Sequence, residues 1–221
     1  MTWSHRTNVC TESLVSHVEG GGARFAEGQC RTSWAFSATG AIEGQWAKRH
    51  GNLVSLSEQN LIDCGPTPGC YGYSAPGAFE IVIQFGGINS AETYPYIGKH
   101  GDYCRFESDK IAAKITDYNW VWGGEAALEQ AVREIGPMTA VINASLKSFQ
   151  HYKGGVYYDE NCNGYVTAEV LVVGFGIEDG MKYWLVKNSW GTDWGDDGYI
   201  KIAKDRGNHC EIASFVRYPI V

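Results

Sequence analysis

A change of hydrophobic period along the chain constrains its fold more than any other feature. From Ser33 to about His50, Trp34, Ala38, Ala41, Ile42, Gln45 and Trp46 recur at three- and four-residue intervals. That spacing predicts an amphipathic helix, and Gly51 supplies a stop. Ser55-Leu56-Ser57-Glu58 has the form of a capping box and predicts a short second helix through Leu61. Ala78 to Phe85 reads as a third helix, ended by Gly86-Gly87, and Glu125 to Ile135 as a fourth. Strands follow. Met138 to Ile142, Val170 to Phe175, Lys182 to Lys187 and Tyr199 to Ala203 are rich in β-branched and aromatic residues with glycine punctuation. Helices first and strands later imply an α+β protein with a helical half and a sheet half. Gly174-Phe175-Gly176 lies between strand signals and reads as a bend in a sheet, too short for a dinucleotide loop.

The bulk properties fit a folded domain. The 221 residues are 44% apolar and 19% charged. A net charge of −7 disfavours nucleic acid as a partner, because that binding rests on clustered Lys and Arg. The basic stretch Lys201 to Arg206 reads as a solvated strand-and-turn face. No run of eighteen apolar residues predicts a membrane span, and Met1 to Arg6 lacks the apolar core of a signal peptide. Seven cysteines, Cys10, Cys30, Cys64, Cys70, Cys104, Cys162 and Cys210, show no zinc-finger spacing, so no metal or other cofactor is expected. Their density fits disulfides formed outside the cytosol, in a secreted or lysosomal lineage, with one cysteine left over.

Three stretches carry a family likeness. Gly28-Gln29-Cys30-Arg31-Thr32-Ser33-Trp34-Ala35-Phe36-Ser37 resembles the segment around the nucleophile of papain and the cathepsins. Ser55 to Cys64 is similar to the segment after the central helix of cathepsin L-like enzymes. Lys182-Tyr183-Trp184-Leu185-Val186-Lys187-Asn188-Ser189-Trp190-Gly191 looks like the strand that carries the family's catalytic asparagine and the tryptophan that covers it. Asn208-His209-Cys210 and Tyr218-Pro219 continue the match. The resemblance implies the papain-like two-domain fold: a divergent segment over residues 1–29, a mainly helical domain over 30–118, a mainly β-barrel domain over 119–221, and a cleft between the two domains. It also implies the pairs Cys30–Cys70, Cys64–Cys104 and Cys162–Cys210, each worth about 4 kcal/mol on the chain-entropy view. Cys10 is then the odd one.

The same resemblance locates a catalytic apparatus and shows it altered. Papain-type catalysis needs a thiolate, a histidine base, an orienting asparagine and oxyanion donors. Ser33 stands at the nucleophile position. Thr167-Ala168-Glu169-Val170-Leu171-Val172-Val173-Gly174 aligns with the histidine strand, so Ala168 stands for the base. None of the six histidines, His5, His17, His50, His100, His151 and His209, falls on that strand; His151 reads as a surface residue near a helix-to-strand turn, with the leaving-group side of the cleft as its alternative place. Glu27 takes the place of the oxyanion glutamine, and an ionised carboxylate only accepts hydrogen bonds. Asn188 survives at the orienter position, but with no histidine to orient it reads as a structural remnant held by Trp190. Arg31 replaces a glycine beside the nucleophile, Tyr73 a glycine that meets substrate backbone, and Phe215 a small residue at the floor of the main specificity pocket.

These changes imply a pseudoprotease, an inactive homologue of a cathepsin L-like cysteine endopeptidase, that works through protein partners as a scaffold or decoy. The alternative is a serine-type hydrolase or a silica-condensing protein, as in the silica-forming relatives of cathepsin L, using Ser33. The sequon Asn143-Ala144-Ser145 permits N-glycosylation in a secreted chain.

Overall fold

A computed structural model describes residues 30–66 and 69–221; Cys10, Gly20-Gly21-Gly22 and Glu27 lie outside them. The first half is built on α1 (Ser33–His50), α2 (Glu58–Cys64) and α3 (Ala75–Phe85). Gly51 ends α1 in the left-handed conformation, at φ 78°, with its N–H bonded to Ala47 O. The cap of α2 differs from the expected box. Ser57, not Ser55, is the N-cap, and its hydroxyl accepts from Asn60 N at 2.9 Å. Glu58 is therefore the first helical residue, and its carboxylate accepts instead from Thr39 Oγ1 of α1 at 2.8 Å. Ser74 caps α3, which starts three residues before the apolar run suggests.

The second half holds a seven-stranded sheet. After the small pair β1 (Ile88–Asn89) and β2 (Ile111–Ala113) come β3 (Asp117–Val121), α4 (Gly124–Glu134), β4 (Met138–Ile142), α5 (Lys147–Gln150), β5 (Val156–Tyr157), β6 (Ala168–Glu178), β7 (Met181–Lys187), β8 (Tyr199–Ala203) and β9 (Val216–Ile220). The spatial order is β3-β9-β4-β6-β7-β8-β5, antiparallel except where β5 meets β8. The register of β6 on β7 shifts between Val172 and Gly174, which is the bend the glycines signalled. The basic stretch is more engaged than a solvated face. Lys204 is buried and pairs with Glu129 at 2.7 Å and Asp205 at 2.9 Å, and Lys201 pairs with Glu178 at 2.7 Å.

Each half has its own apolar core. One gathers Trp34, Ile42, Leu61 and Phe79 around α1–α3; the other gathers Leu128, Phe149, Trp184 and Ile212 against the sheet. Leu171 and Val173 of β6 belong to the helical core, so the long strand joins the halves. Gly40 lets α1 lie down on β6: a Cβ there would stand 2.7 Å from Leu171 Cδ2. Ser37 Oγ donates to Val170 O at 2.7 Å across the same junction. Bridges Cys30–Cys70 and Cys64–Cys104 each enclose 40 residues of separation in the helical half, and Cys162–Cys210 spans 48 in the sheet half. Among the described residues no helix is long and apolar enough to cross a membrane.

Candidate functional site

The N-terminus of α1 and the start of β6 meet at Ser33. The approach to Ser33 is held on several sides. The Cys30–Cys70 bridge anchors it, Arg31 N donates to Cys70 O at 3.0 Å, and Trp34 Nε1 donates to Gly69 O at 3.2 Å. Thr32 occupies the N-cap position without a side-chain cap bond; its hydroxyl lies 3.2 Å from Tyr96 OH instead. Ser33 itself is half-buried, and its Oγ accepts from Glu169 N at 3.3 Å. The neighbour in β6 is Ala168, a buried methyl group at the head of the strand.

Asn188 follows β7 and is only 2% exposed. Its Oδ1 accepts from Ser189 N at 2.8 Å, and its Nδ2 is buried with no hydrogen-bond partner among the described residues. An orphaned buried donor of this kind costs about 1–3 kcal/mol. Trp190 packs edge-on to Phe149 and Trp194, at 5.6 and 5.1 Å between ring centres.

Glu169 is the residue that sequence reasoning passed over. It is buried on β6, beside Val141 of β4, and both carboxylate oxygens accept from Ala75 N, at 3.1 and 2.9 Å. The side chain therefore crosses from the sheet half to cap the first turn of α3. Burial raises its pKa to about 7, against the opposing pull of the Ala75 N–H and the positive charge of Arg217. Arg217 lies one row along the sheet, opposite Thr139. It is buried, its Nε has no hydrogen-bond partner among the described residues, and its guanidinium lies 3.6 Å from the centre of the Trp120 ring. The available signal was a carboxylate set in an otherwise apolar strand.

The remaining candidates are dispersed around this centre. Tyr73 folds its ring back over the first turn of α3, edge-on to Trp34 at 5.5 Å, where a side chain on Gly77 would collide with it. Arg31 and Phe215 are exposed. His151 caps α5 on the surface, and none of the four described histidines bonds to Ser33. His209 contacts Asp159 and lies beside Cys162 and Cys210, whose sulfurs are joined in a buried disulfide and carry no thiol. That cluster therefore offers no free thiolate to a metal or a substrate. Asn143, the sequon residue, lies just after β4. It is 4% exposed, and its Oδ1 accepts from Ser145 N and Oγ.

Comparison with known proteins places this geometry. Procathepsin L of Felis catus is 49% identical over 203 residues, covering 88% of this chain and 61% of that protein. Testin-2 of Mus musculus is 49% identical over the same length, again covering 88% of this chain and 61% of that protein. The chain thus spans about three fifths of the curated relatives it matches, about 61%. The solved structure of digestive procathepsin L 3 from Tenebrio molitor larval midgut superposes with a TM-score of 0.89 at 39% identity, covering 100% of this chain and 71% of that one. The family model of papain family cysteine proteases matches residues 23–220, and the chain belongs to that family.

Proposed function

We propose that this chain is a papain-fold pseudoprotease that acts by binding a protein partner rather than by cutting one. The carrying observation is the arrangement at Ser33. The group beside its hydroxyl is the Glu169 amide, which donates to it, and the flanking side chain at the base position is the methyl of Ala168. A serine hydroxyl attacks only when an adjacent base takes its proton. A methyl cannot, and Asn188 is left with an unpaired Nδ2 and no imidazole to orient. In the sequence, Glu27 takes the place of the family's oxyanion glutamine, and an ionised carboxylate cannot donate.

The packing at the start of α3 supports the same reading. Glu169 spans from β6 to α3, and Tyr73 covers the first turn of α3. Nothing on β6 favours the serine-hydrolase alternative, since no described histidine reaches Ser33. Three disulfides among the described residues support maturation in the secretory pathway, with residence outside the cell or in lysosomes.

The test is turnover of casein and of dipeptidyl fluorogenic substrates by the chain and by Ser33→Ala. The expected result is no turnover above background for either. Activity that disappears in Ser33→Ala overturns the proposal.

A further inference from the structure

Five of the seven described tryptophans sort by what their indole N–H groups meet. Trp34, Trp184 and Trp194 are buried, and each donates: to Gly69 O, to Glu125 Oε2 and to Gln150 O. Trp120 and Trp122 are different. They stack on one another at 4.9 Å with planes 8° apart, Trp120 within β3 and Trp122 just after its end. Their N–H groups meet no acceptor among the described residues. Trp122 is 69% exposed and Trp120 38%.

The stack is closed at one end and open at the other. Arg217 covers the inner face of Trp120, and Trp120 covers the inner face of Trp122. The outer face of Trp122 meets no other ring or cation among the described residues. Beside it run Gly123 and Gly124, at φ 115° and 71°, with no side chain and open space around Gly124. Gly123 is the N-cap of α4 and offers no side-chain cap, so the first-turn amides of α4 also remain as donors.

The geometry points to a binding site for a neutral sugar ring of a glycan chain, stacked on the outer face of Trp122. One open indole face matches one ring, whose C–H face meets the negative face of the aromatic system. The indole N–H groups and the amides at the start of α4 are donors, which suits the many acceptor oxygens of a polyol. Charge narrows the class further. A net charge of −7 disfavours sulfated or phosphorylated chains, and Arg217 on the far side of the stack weakens its attraction for a second cation.

The test titrates the full chain with mannotriose, maltotriose and N-acetylchitotriose, with heparin and decaproline in parallel, read by tryptophan fluorescence and by the indole N–H signals in NMR. At least one neutral trisaccharide is expected to bind saturably. Trp122→Ala is expected to weaken that binding roughly tenfold or more, while Trp122→Phe keeps part of it. Trp122 lies on the surface, so both variants should fold, and circular dichroism checks that. The inference is overturned by four outcomes: no trisaccharide binds, binding survives Trp122→Ala unchanged, only heparin or decaproline binds, or Trp122→Ala dissociates a self-associated form in sedimentation. The last would assign the face to a second copy of the chain.

Discussion

Asn188 and Asn143 are both buried side-chain amides beside β-strands, at 2% and 4% exposure, and they differ in what they satisfy. Asn143 Oδ1 holds Ser145 through two hydrogen bonds, at 3.1 and 2.7 Å. Asn188 binds Ser189 N but leaves Nδ2 buried and unpaired. Truncation removes good bonds at one site and a desolvation penalty at the other. Asn188→Ala should therefore destabilise the chain by about 1 kcal/mol less than Asn143→Ala, measured by chemical denaturation. Equal losses would mean that the Asn188 amide finds a partner in solution. The same reasoning applies to Glu169. Its carboxylate supplies both acceptors for Ala75 N, so Glu169→Ala should cost about 1–2 kcal/mol, as for loss of a helix cap. Glu169→Gln, which keeps one acceptor oxygen, should cost clearly less. Ser33 and Ala168 could be singled out in the sequence because each sits within a run that resembles a segment of the papain family. The Glu169–Ala75 bond was not. It needs α3 placed against β6, a contact between residues 94 apart in sequence.

Among the elements, α1 and its stop at Gly51 follow from local period and a glycine free to adopt positive φ. α2 shows where local reading slips. Two serines compete for the cap, and the choice of Ser57 is made by tertiary bonds: its Oγ donates to Tyr94 O at 2.5 Å, and Glu58 is drawn to Thr39 of α1. Ser57→Ala should destabilise by roughly 1–2 kcal/mol in thermal or denaturant unfolding, whereas Ser55→Ala should change stability little. A larger effect at Ser55 would contradict the assigned cap. β3 and β9 escaped the sequence reading for another reason. β3 is an edge strand with mostly exposed residues and no clean alternation, and β9 contains Pro219. Each is a strand because of its partner, with Asp117 to Val121 in register against Ile220 to Val216. Pairing across about a hundred residues leaves no local signature.

At the scale of the whole molecule, two inward-turned carboxyls set the response to pH. Burial, then the neighbouring charge of Glu43, pushes the Glu58 pKa up to about 8, against the hydrogen bond from Thr39 and the charge of Lys187. Glu58 as a residue is only partly covered, but its carboxyl end is turned inward, where burial and the charge of Glu43 raise its pKa. Glu169 rises to about 7 from an ordinary value of 4.5. For a carboxyl whose folded pKa is raised, the native state keeps a proton that the unfolded chain has already lost, so stability falls as pH climbs through that window. Here the window runs from about 4.5 to about 8 for Glu58 and to about 7 for Glu169. His209 opposes this. Burial lowers its pKa below 6.5, so its contribution is lost as pH falls beneath that value. Glu129, Asp159 and Asp205 have lowered values and act only in more acidic solution. Lys187, whose pKa burial lowers, also opposes the carboxyls where it titrates; the two large carboxyl shifts outweigh both, and the chain should be more stable near pH 5 than near pH 8, by roughly 5 °C or more in Tm. Glu58→Gln, neutral at every pH, should flatten most of that rise, and Glu169→Gln should flatten the part below pH 7. A Tm that climbs towards pH 8, or a slope that Glu58→Gln leaves intact, would contradict the assignment. A rise on acidification matches the acidic lumen of the proposed lysosomal or secretory setting, where a protein that acts by binding gains from persistence.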